Sequence, residues 1–251
     1  MIFDAHLHVI DPRFPLVPNH GWLPAPFDVP EYMSHATALD IRGGAVVSGS
    51  FQVFDQTYLE DALARLGPTY VGVTQLPADV ADAEVLRLTA RGVRAVRFNL
   101  RRGGSADLAD LEPLARRVHD LAGWHVELYV DSADLPDLAA RLRALPRVSI
   151  DHLGLSAAGL PTLLALVERG VRVKATGFGR VDFDVADVLR RIAAVDPGAL
   201  MFGTDLPSTR APRPFTPADI LLLQDALGPE LARRALWDNA LAWYRPPAFI
   251  E

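Results

Sequence analysis

The sequence predicts a single-domain α/β protein, a (β/α)8 TIM barrel that extends over residues 1–251. Three observations predict this fold. Eight short apolar segments, spaced at about 20–35 residues, have the length and composition of strands, and each is followed by a helical pattern. No Ser/Gly-rich linker divides the chain, and 50% of its residues are hydrophobic, enough for one large core. Parallel strands need helical crossovers, and eight of them close without a free edge.

Each element follows from its own local pattern. Runs rich in β-branched and aromatic residues predict strands at 2–9, 44–48, 70–75, 93–99, 125–130, 147–151, 171–175 and 199–203. Helical periodicity predicts helices at 31–40, 56–66, 79–91, 108–122, 135–145, 159–168 and 185–194. Pro, Gly and Asp mark nearly every junction between them. The tail, residues 217–244, has the pattern of two helices interrupted at Gly228 and Pro229.

An open, doubly wound sheet is the alternative arrangement of alternating strands and helices. Its dinucleotide-binding version carries a Gly-x-Gly-x-x-Gly turn directly after the first strand. No such turn follows residues 2–9, which favours the barrel.

The first strand carries two histidines one pleat apart. Side chains alternate along a strand, so Asp4, His6 and His8 are expected on one face. The other face is expected to pack against helices, with Phe3, Ala5, Leu7 and Val9. Two imidazoles in this arrangement can ligate one metal ion or contact one substrate.

The segment after the first strand is rich in proline. Between residues 11 and 30 there are six prolines, at positions 12, 15, 18, 24, 26 and 30. Proline fixes φ and removes a hydrogen-bond donor, so this segment is not regular structure. An ordered loop and a lid or wall over the site are both consistent with it.

Polar residues recur at the C-terminal ends of the predicted strands, on the parity that faces inward. In a barrel this end carries the catalytic groups. The residues concerned are His6, His8, Arg97, Asn99, Glu127, Tyr129, Asp151, His152, Lys174 and Asp205. Their convergence from several separate strands indicates a site.

Each of these residues also has a structural interpretation. Glu127 and Lys174 can neutralise each other inside the barrel. Asp151 can bind backbone amides, and Asp205 can be a turn carboxylate. His125 begins its strand and is expected outside the site. The loop arginines, which include Arg101, Arg102 and Arg180, are of a type that is usually solvated.

Composition excludes several classes of function. The chain has no cysteine, which excludes disulfides, thiolate metal sites and cysteine nucleophiles. Its formal charge is −6 without a basic run, so neither nucleic acid nor an anionic membrane is an expected partner. No secretory or membrane-spanning segment is recognised, and a cytoplasmic location is expected. The oligomeric state is open.

Three motifs resemble the signatures of the amidohydrolase superfamily. They are Phe3-Asp4-Ala5-His6-Leu7-His8, Ile150-Asp151-His152-Leu153-Gly154 and Gly203-Thr204-Asp205-Leu206-Pro207. Their order, at the ends of the first, sixth and eighth strands, is similar to that family too. The proline-rich segment and the stretches 93–99 and 174–177 are similar to its branch of pyrone-dicarboxylate and sugar lactonases.

The resemblance implies a hydrolase that opens a lactone, or a similar activated ester, of a small anionic substrate. Asp205 and His152 are then the catalytic residues, with Asp205 as general base. One divalent ion, Zn²⁺ or Mn²⁺, is held by His6, His8, His152 and Asp205, or the site works without metal. The residues expected to bind substrate are Arg97, Asn99, Tyr129, Arg102, Lys174 and Arg180.

The sequence also departs from relatives. Leu206 and Ser208 stand where the turn after the last strand often continues with Trp and His. The seventh strand has no His, and no bridging lysine is evident, so a binuclear centre is not expected. A metal-dependent decarboxylase of the same superfamily is the first alternative, and a non-catalytic ligand-binding barrel is the second.

Overall fold

The computed structural model describes residues 1–249 and confirms the (β/α)8 barrel. Eight strands form one sheet in chain order, each parallel to the next. The strands are β1 (Ile2–Leu7), β2 (Ile41–Val47), β3 (Tyr70–Thr74), β4 (Val93–Asn99), β5 (His125–Tyr129), β6 (Val148–Ile150), β7 (Arg172–Ala175) and β8 (Leu200–Phe202).

The ends of β1 and β8 are joined by backbone hydrogen bonds. The amide of Asp205 donates to the carbonyl of His6 at 2.7 Å, and the amide of His8 donates to that of Leu206 at 2.8 Å. The sheet therefore curves back on itself, and the open, doubly wound alternative is wrong.

Helices follow the strands around the outside of the barrel. They are α1 (Val29–Ala38), α2 (Thr57–Leu66), α3 (Asp82–Ala90), α4 (Leu111–Ala122), α5 (Leu135–Arg143), α6 (Leu160–Val167), α7 (Val185–Val195), α8 (Pro217–Arg233) and α9 (Asn239–Tyr244). Helix α1 begins two residues earlier than predicted, because Asp28 caps it by accepting from the amide of Glu31 at 3.0 Å.

The predicted break in the tail is present. Gly228 has a φ of 72°, which bends α8 ahead of Pro229. A π-helical turn, Arg234–Asp238, then leads into α9. At the end of α9 the ring of Tyr244 stacks on that of Phe3, with centroids 5.7 Å apart. The tail thus closes the barrel at the end opposite the C-terminal ends of the strands.

The faces of β1 differ from the prediction. Phe3 and Ala5, expected against helices, lie in the barrel interior in a buried cluster with Tyr244. Asp4, expected beside the histidines, accepts from the hydroxyl of Tyr32 on α1 at 3.3 Å and from the hydroxyl of Thr204 at 2.6 Å. The pairing of β1 with β2 shifts register between Asp4 and Leu7, so strict alternation fails there.

The predicted faces of β4 and β5 are confirmed. Val96 and Phe98 pack into the layer between strands and helices, while Arg97 and Asn99 point inward. Arg97 is paired in register with Glu127 on the neighbouring strand, and Asn99 with Tyr129. None of the helices in residues 1–249 is long and apolar enough to cross a membrane.

Candidate active site

A cavity lies at the C-terminal ends of the strands. The cavity is lined by His8, Trp22, Gly49, Ser50, Phe51, Arg97, Asn99, Arg102, Tyr129, His152, Arg180, Asp205, Thr209 and Arg210. Ten residues were predicted to be catalytic, metal-binding or substrate-binding, and eight of them are in this lining. The other two, His6 and Lys174, are fully buried next to it.

The two histidines of the first motif meet edge to face, with ring centroids 5.0 Å apart. His8 stands just past the end of β1, and its Nδ1 lies 2.7 Å from the carbonyl oxygen of Val47. A carbonyl only accepts, so Nδ1 carries the proton and the Nε2 lone pair faces the site. Burial lowers the pKa of His8 to about 3, with Arg97 acting in the same direction, and keeps the ring neutral.

His152 follows β6 in a tight turn and has a φ of 51°. Its ring centroid lies 4.8 Å from that of His6 and 5.1 Å from that of Tyr129. Its Nδ1 is 2.6 Å from the hydroxyl of Thr176 at the end of β7. Burial, reinforced by His6 and Arg180, holds the pKa of His152 well below its usual range. Burial, with the positive charge of Lys174 acting in the same direction, also holds the pKa of His6 well below its usual range. Three neutral imidazoles thus form one wall of the site.

Asp205 faces this wall from the end of β8. Its Oδ1 lies 3.9 Å from Nε2 of His6 and 3.8 Å from Nε2 of His8, and among residues 1–249 it has no hydrogen-bond partner. Its Oδ2 accepts from Nε of Arg180 at 2.7 Å. Burial raises the pKa of Asp205, and the guanidinium of Arg180 opposes this increase. A carboxylate with one oxygen held and one oxygen open is suited to take a proton from water.

Arg97 is engaged inside the protein. Its Nη2 and Nε donate to Oδ2 of Asp151 at 2.7 and 3.2 Å, and its Nη1 donates to the carbonyl of Ser48 at 2.8 Å. Burial alone would raise the pKa of Asp151, but Arg97, His6 and Lys174 hold it well below its usual range. Asp151 is therefore the ion-pair partner of Arg97, a role that the sequence did not indicate.

Lys174 and Glu127 form the buried pair that the sequence suggested. Nζ of Lys174 lies 2.6 Å from Oε2 of Glu127, and both side chains are fully buried. The hydroxyl of Tyr244 donates to the same oxygen at 3.3 Å. Lys174 is not in the cavity lining. Its predicted contact with substrate has no support in this arrangement, and its neighbours are Glu127 and His6.

The mouth of the cavity is cationic. Arg102, Arg180 and Arg210 line it, and within residues 1–249 neither Arg102 nor Arg210 is within 4.0 Å of a carboxylate. Burial and the proximity of Arg102 lower the pKa of Arg210. Two neighbouring positive groups that have no ion-pair partner in the part of the chain that the structure describes favour an anionic ligand. Arg101, by contrast, lies 3.6 Å from Asp131 and outside the lining.

The proline-rich segment forms part of the cavity wall. Asn19 and Trp22 pair as a short antiparallel bridge, and Arg210 donates to Oδ1 of Asn19 at 2.9 Å. The guanidinium of Arg210 also lies 4.1 Å from the centre of the Trp22 ring. The segment is thus an ordered wall tied to the loop after β8.

Sequence reasoning missed several lining or supporting residues. Trp22, Phe51 and Arg210 come from loops without a repeating pattern, where no periodicity indicates direction. Thr176 follows Lys174 at a strand end, a position that could have been recognised as a partner for a histidine. His125 is confirmed outside the cavity, since its ring packs against Trp243 and Tyr244 with centroids 5.0 and 5.2 Å away.

The donor set is suited to one divalent ion. Nε2 of His6 and Oδ1 of Asp205 are buried without hydrogen-bond partners among residues 1–249, and Nε2 of His8 faces them. His6, His8 and Asp205 place their donor atoms within 4.8 Å of one another, as do His6, Asp151 and His152. Nitrogen and carboxylate donors suit Zn²⁺ or Mn²⁺. The residues present therefore fit a mononuclear site.

The profile of the amidohydrolase family matches residues 3–245, nearly the whole chain. The chain belongs to the amidohydrolase family. The resemblance drawn from the three motifs is thereby confirmed, and with it the expectation of an enzyme of this family.

Individual relatives cover the full length of the barrel. The chain is 28% identical to a 2-pyrone-4,6-dicarboxylate hydrolase of Comamonas testosteroni, over 97% of this chain and 90% of the relative. It is 29% identical to a D-galactarolactone isomerase of Agrobacterium fabrum, over 96% and 90%. A crystal structure of a putative 2-pyrone-4,6-dicarboxylic acid hydrolase from Pseudomonas putida superposes with a TM-score of 0.83, at 26% identity over 100% of this chain and 98% of that chain.

Proposed function

We propose that this amidohydrolase opens a lactone ring of a small anionic substrate by attack of water. The observation that carries the proposal is the open Oδ1 of Asp205, buried opposite the imidazoles of His6 and His8 at 3.9 and 3.8 Å. The names of the relatives support the substrate class, because a pyrone and a galactarolactone are both lactones.

Asp205 would act as the general base. Its Oδ1 takes a proton from water as the water oxygen bonds to the lactone carbonyl carbon, and Arg180 holds Oδ2 so that Oδ1 keeps its direction. The ring C–O bond of the tetrahedral intermediate then breaks, and the proton on Asp205 passes to the leaving oxygen. Asp205 returns to its starting state, and the product is a hydroxy acid or its enol form.

The imidazole wall would lie against the carbonyl oxygen. The rings of His6, His8 and His152 flank the site. An N–H donor aimed at that oxygen stabilises the negative charge that develops on it. A divalent ion held by His6, His8 and Asp205 supplies Lewis-acid polarisation of the same carbonyl when it is bound.

The arginines at the mouth would bind the anionic group of the substrate. Arg102, Arg180 and Arg210 line the cavity, and planar guanidinium groups bind carboxylates by paired hydrogen bonds. Asn99 and Tyr129 also line the cavity, where they would contact the substrate ring. Arg97 also faces the cavity, but most of its donors are bonded to Asp151 and Ser48.

A panel of lactones tests the proposal. Purified protein is given 2-pyrone-4,6-dicarboxylate, D-galactarolactone and a neutral lactone of similar size, and acid release and gas release are followed together. Hydrolysis releases one proton for each ring opened and no gas. Carbon dioxide would identify the decarboxylase alternative. Loss of the starting lactone without acid release would identify an isomerase, as in the relative from Agrobacterium fabrum. No turnover of any of the three lactones would contradict the proposed substrate class.

A further inference from the structure

The only lysine of the chain is buried next to the cavity. Lys174 stands on β7 with its side chain fully buried, and its Nζ donates to Oε2 of Glu127 at 2.6 Å. The same Nζ lies 3.2 Å from Nδ1 of His6, within hydrogen-bond distance. All other basic side chains, histidines apart, are arginines. A compact ammonium with three N–H donors can contact both groups at once.

Nδ1 of His6 has two kinds of neighbour. Nζ of Lys174 is nearest, at 3.2 Å, while Oδ1 of Asp151 lies at 3.5 Å and Oε1 of Glu127 at 3.7 Å. Neither of these two oxygens has a hydrogen-bond partner within residues 1–249. An ammonium can only donate and a carboxylate can only accept, so the two kinds of neighbour require opposite states of Nδ1.

We propose that Lys174 is a positioning residue that keeps Nδ1 of His6 as an acceptor and thereby fixes the proton of the ring on Nε2. This nitrogen faces Oδ1 of Asp205 at 3.9 Å and has no hydrogen-bond partner in the described part of the chain, residues 1–249. With the proton there, His6 presents an N–H donor to the cavity. Its lone pair is then turned away from the position that a divalent ion would occupy.

Without Lys174 the imidazole of His6 can adopt its other tautomer. Nδ1 can carry the proton and donate to the free Oδ1 of Asp151, which leaves the lone pair of Nε2 facing Nε2 of His8 and Oδ1 of Asp205. Carboxylates that orient a metal-binding histidine in this way strengthen metal sites. Lys174 therefore selects between a hydrogen-bonding site and a metal-binding site built from the same residues.

The inference rests on the proposed function only where it gives the Nε2–H group of His6 a role in polarising a lactone carbonyl. The tautomer and the metal affinity are measured without any substrate. The experiments therefore distinguish a failure of the role proposed for Lys174 from a failure of the proposed lactone hydrolysis.

The tautomer is read by NMR on protein labelled with ¹⁵N in its seven histidines. The His6 signals are assigned by their loss in His6→Ala. We expect the Nε2–H form of His6 in the wild type and the Nδ1–H form in Lys174→Met. An Nδ1–H form of His6 in the wild type would overturn the inference, and this measurement needs no variant of Lys174.

Metal affinity is measured by calorimetry with Zn²⁺ after treatment with a chelator. Lys174→Met should bind Zn²⁺ more tightly than the wild type by on the order of 10–100-fold, the range found when groups that orient metal ligands are changed. Arg172→Met is the matched control, since Arg172 is on the same strand but pairs with Asp196. It should leave the affinity unchanged.

A second variant is needed in case Lys174→Met does not fold. Lys174→Met leaves Glu127 buried without its partner, so Lys174→Met/Glu127→Gln removes both charges together. It should show the same gain in Zn²⁺ affinity. Equal affinities in the wild type and this folded double variant would overturn the inference. If the tautomer and affinity change as expected but the wild type opens no lactone, the proposed function fails and the role of Lys174 stands.

Discussion

Asp205 and Arg180 form a buried ion pair that occupies only one oxygen of the carboxylate. Nε of Arg180 donates to Oδ2 at 2.7 Å, while Oδ1 has no hydrogen-bond partner among residues 1–249 and lies 3.8 Å from Nε2 of His8. A second donor of Arg180, Nη2, bonds the carbonyl of Thr209 at 2.8 Å and fixes the guanidinium. The arrangement orients the carboxylate and controls its basicity through one side chain.

Arg180→Met should move the acid limb of the pH profile of kcat/KM to higher pH. Burial raises the pKa of Asp205 and the positive charge of Arg180 opposes that effect, so removal of the charge raises the pKa further. A general base works only when deprotonated, and activity is lost as pH falls through its pKa. The profile is measured with a lactone substrate. Arg180→Lys retains a charge and should shift less, and an unchanged acid limb in Arg180→Met would show that this pair does not control the base.

Arg97→Met should reduce the free energy of unfolding by roughly 3–5 kcal/mol, because it leaves Asp151 buried without its ion-pair partner. Arg97→Met/Asp151→Asn removes both charges and should recover part of the loss. Urea unfolding followed by circular dichroism gives the four stabilities of this double-mutant cycle. Additive effects of the two changes would mean that Arg97 acts mainly through other contacts.

The fold was predictable because it depends on repeated patterns. Helical and strand periodicities recur along the chain, and nearly every junction carries Pro, Gly or Asp. Errors at single boundaries therefore do not change the topology. The inward parity of Arg97 and Asn99 was also readable, since β4 pairs in regular register with β5. Regular strands transmit side-chain direction from sequence to structure.

The parity argument failed where the strand is irregular. On β1 the register shift between Asp4 and Leu7 turns Asp4 toward Tyr32 and brings Phe3 into the interior. His6 and His8 still meet, because their positions depend on the strand end and on the bond from His8 to Val47. No local pattern in the sequence indicates such a shift.

Pairing between side chains far apart in the chain was the second feature that the sequence could not predict. Arg97 and Asp151 are 54 residues apart, and Asn19 and Arg210 are 191 residues apart. One sequence indicates that such side chains are near the mouth but not which carboxylate takes which guanidinium. For this reason Arg97 was predicted as a substrate clamp, although the structure engages most of its donors with the protein.

Arg102→Met should weaken binding of an anionic lactone by about 1.5–3 kcal/mol, the usual contribution of a hydrogen bond to a charged group. The side chain lines the cavity and no carboxylate within residues 1–249 is in ion-pair distance of it. Binding is measured by calorimetry for the acid and for its methyl ester. Arg101→Met is the control, because Arg101 is paired with Asp131 outside the cavity. Equal losses for acid and ester would contradict a role for Arg102 in binding the anion.

In the Lys174→Met background, where Nε2 of His6 is expected to carry a lone pair, His6→Ala and His8→Ala should weaken Zn²⁺ binding alike. Both rings direct Nε2 toward Oδ1 of Asp205, so each would supply one ligand to the same ion. The measurement is Zn²⁺ titration by calorimetry on chelator-treated protein, with His35→Ala as a control on the outer helix α1. Unchanged Zn²⁺ affinity in both site variants would place the metal at another set of residues.

Asp205→Asn separates catalysis from binding. The amide keeps the shape of the side chain and can still contact Arg180 or the imidazoles, but it cannot take a proton from water. General-base catalysis contributes about 10²–10⁴-fold, so kcat should fall by at least that order. Binding should fall much less, because Arg102 and Arg210 at the mouth are untouched. The test compares kcat from steady-state kinetics with Kd from calorimetry, and Asp182→Asn, an exposed carboxylate after β7, serves as the control. A fall in kcat of less than about threefold would reduce Asp205 to a turn residue, and a collapse of binding together with kcat would make it chiefly a structural support.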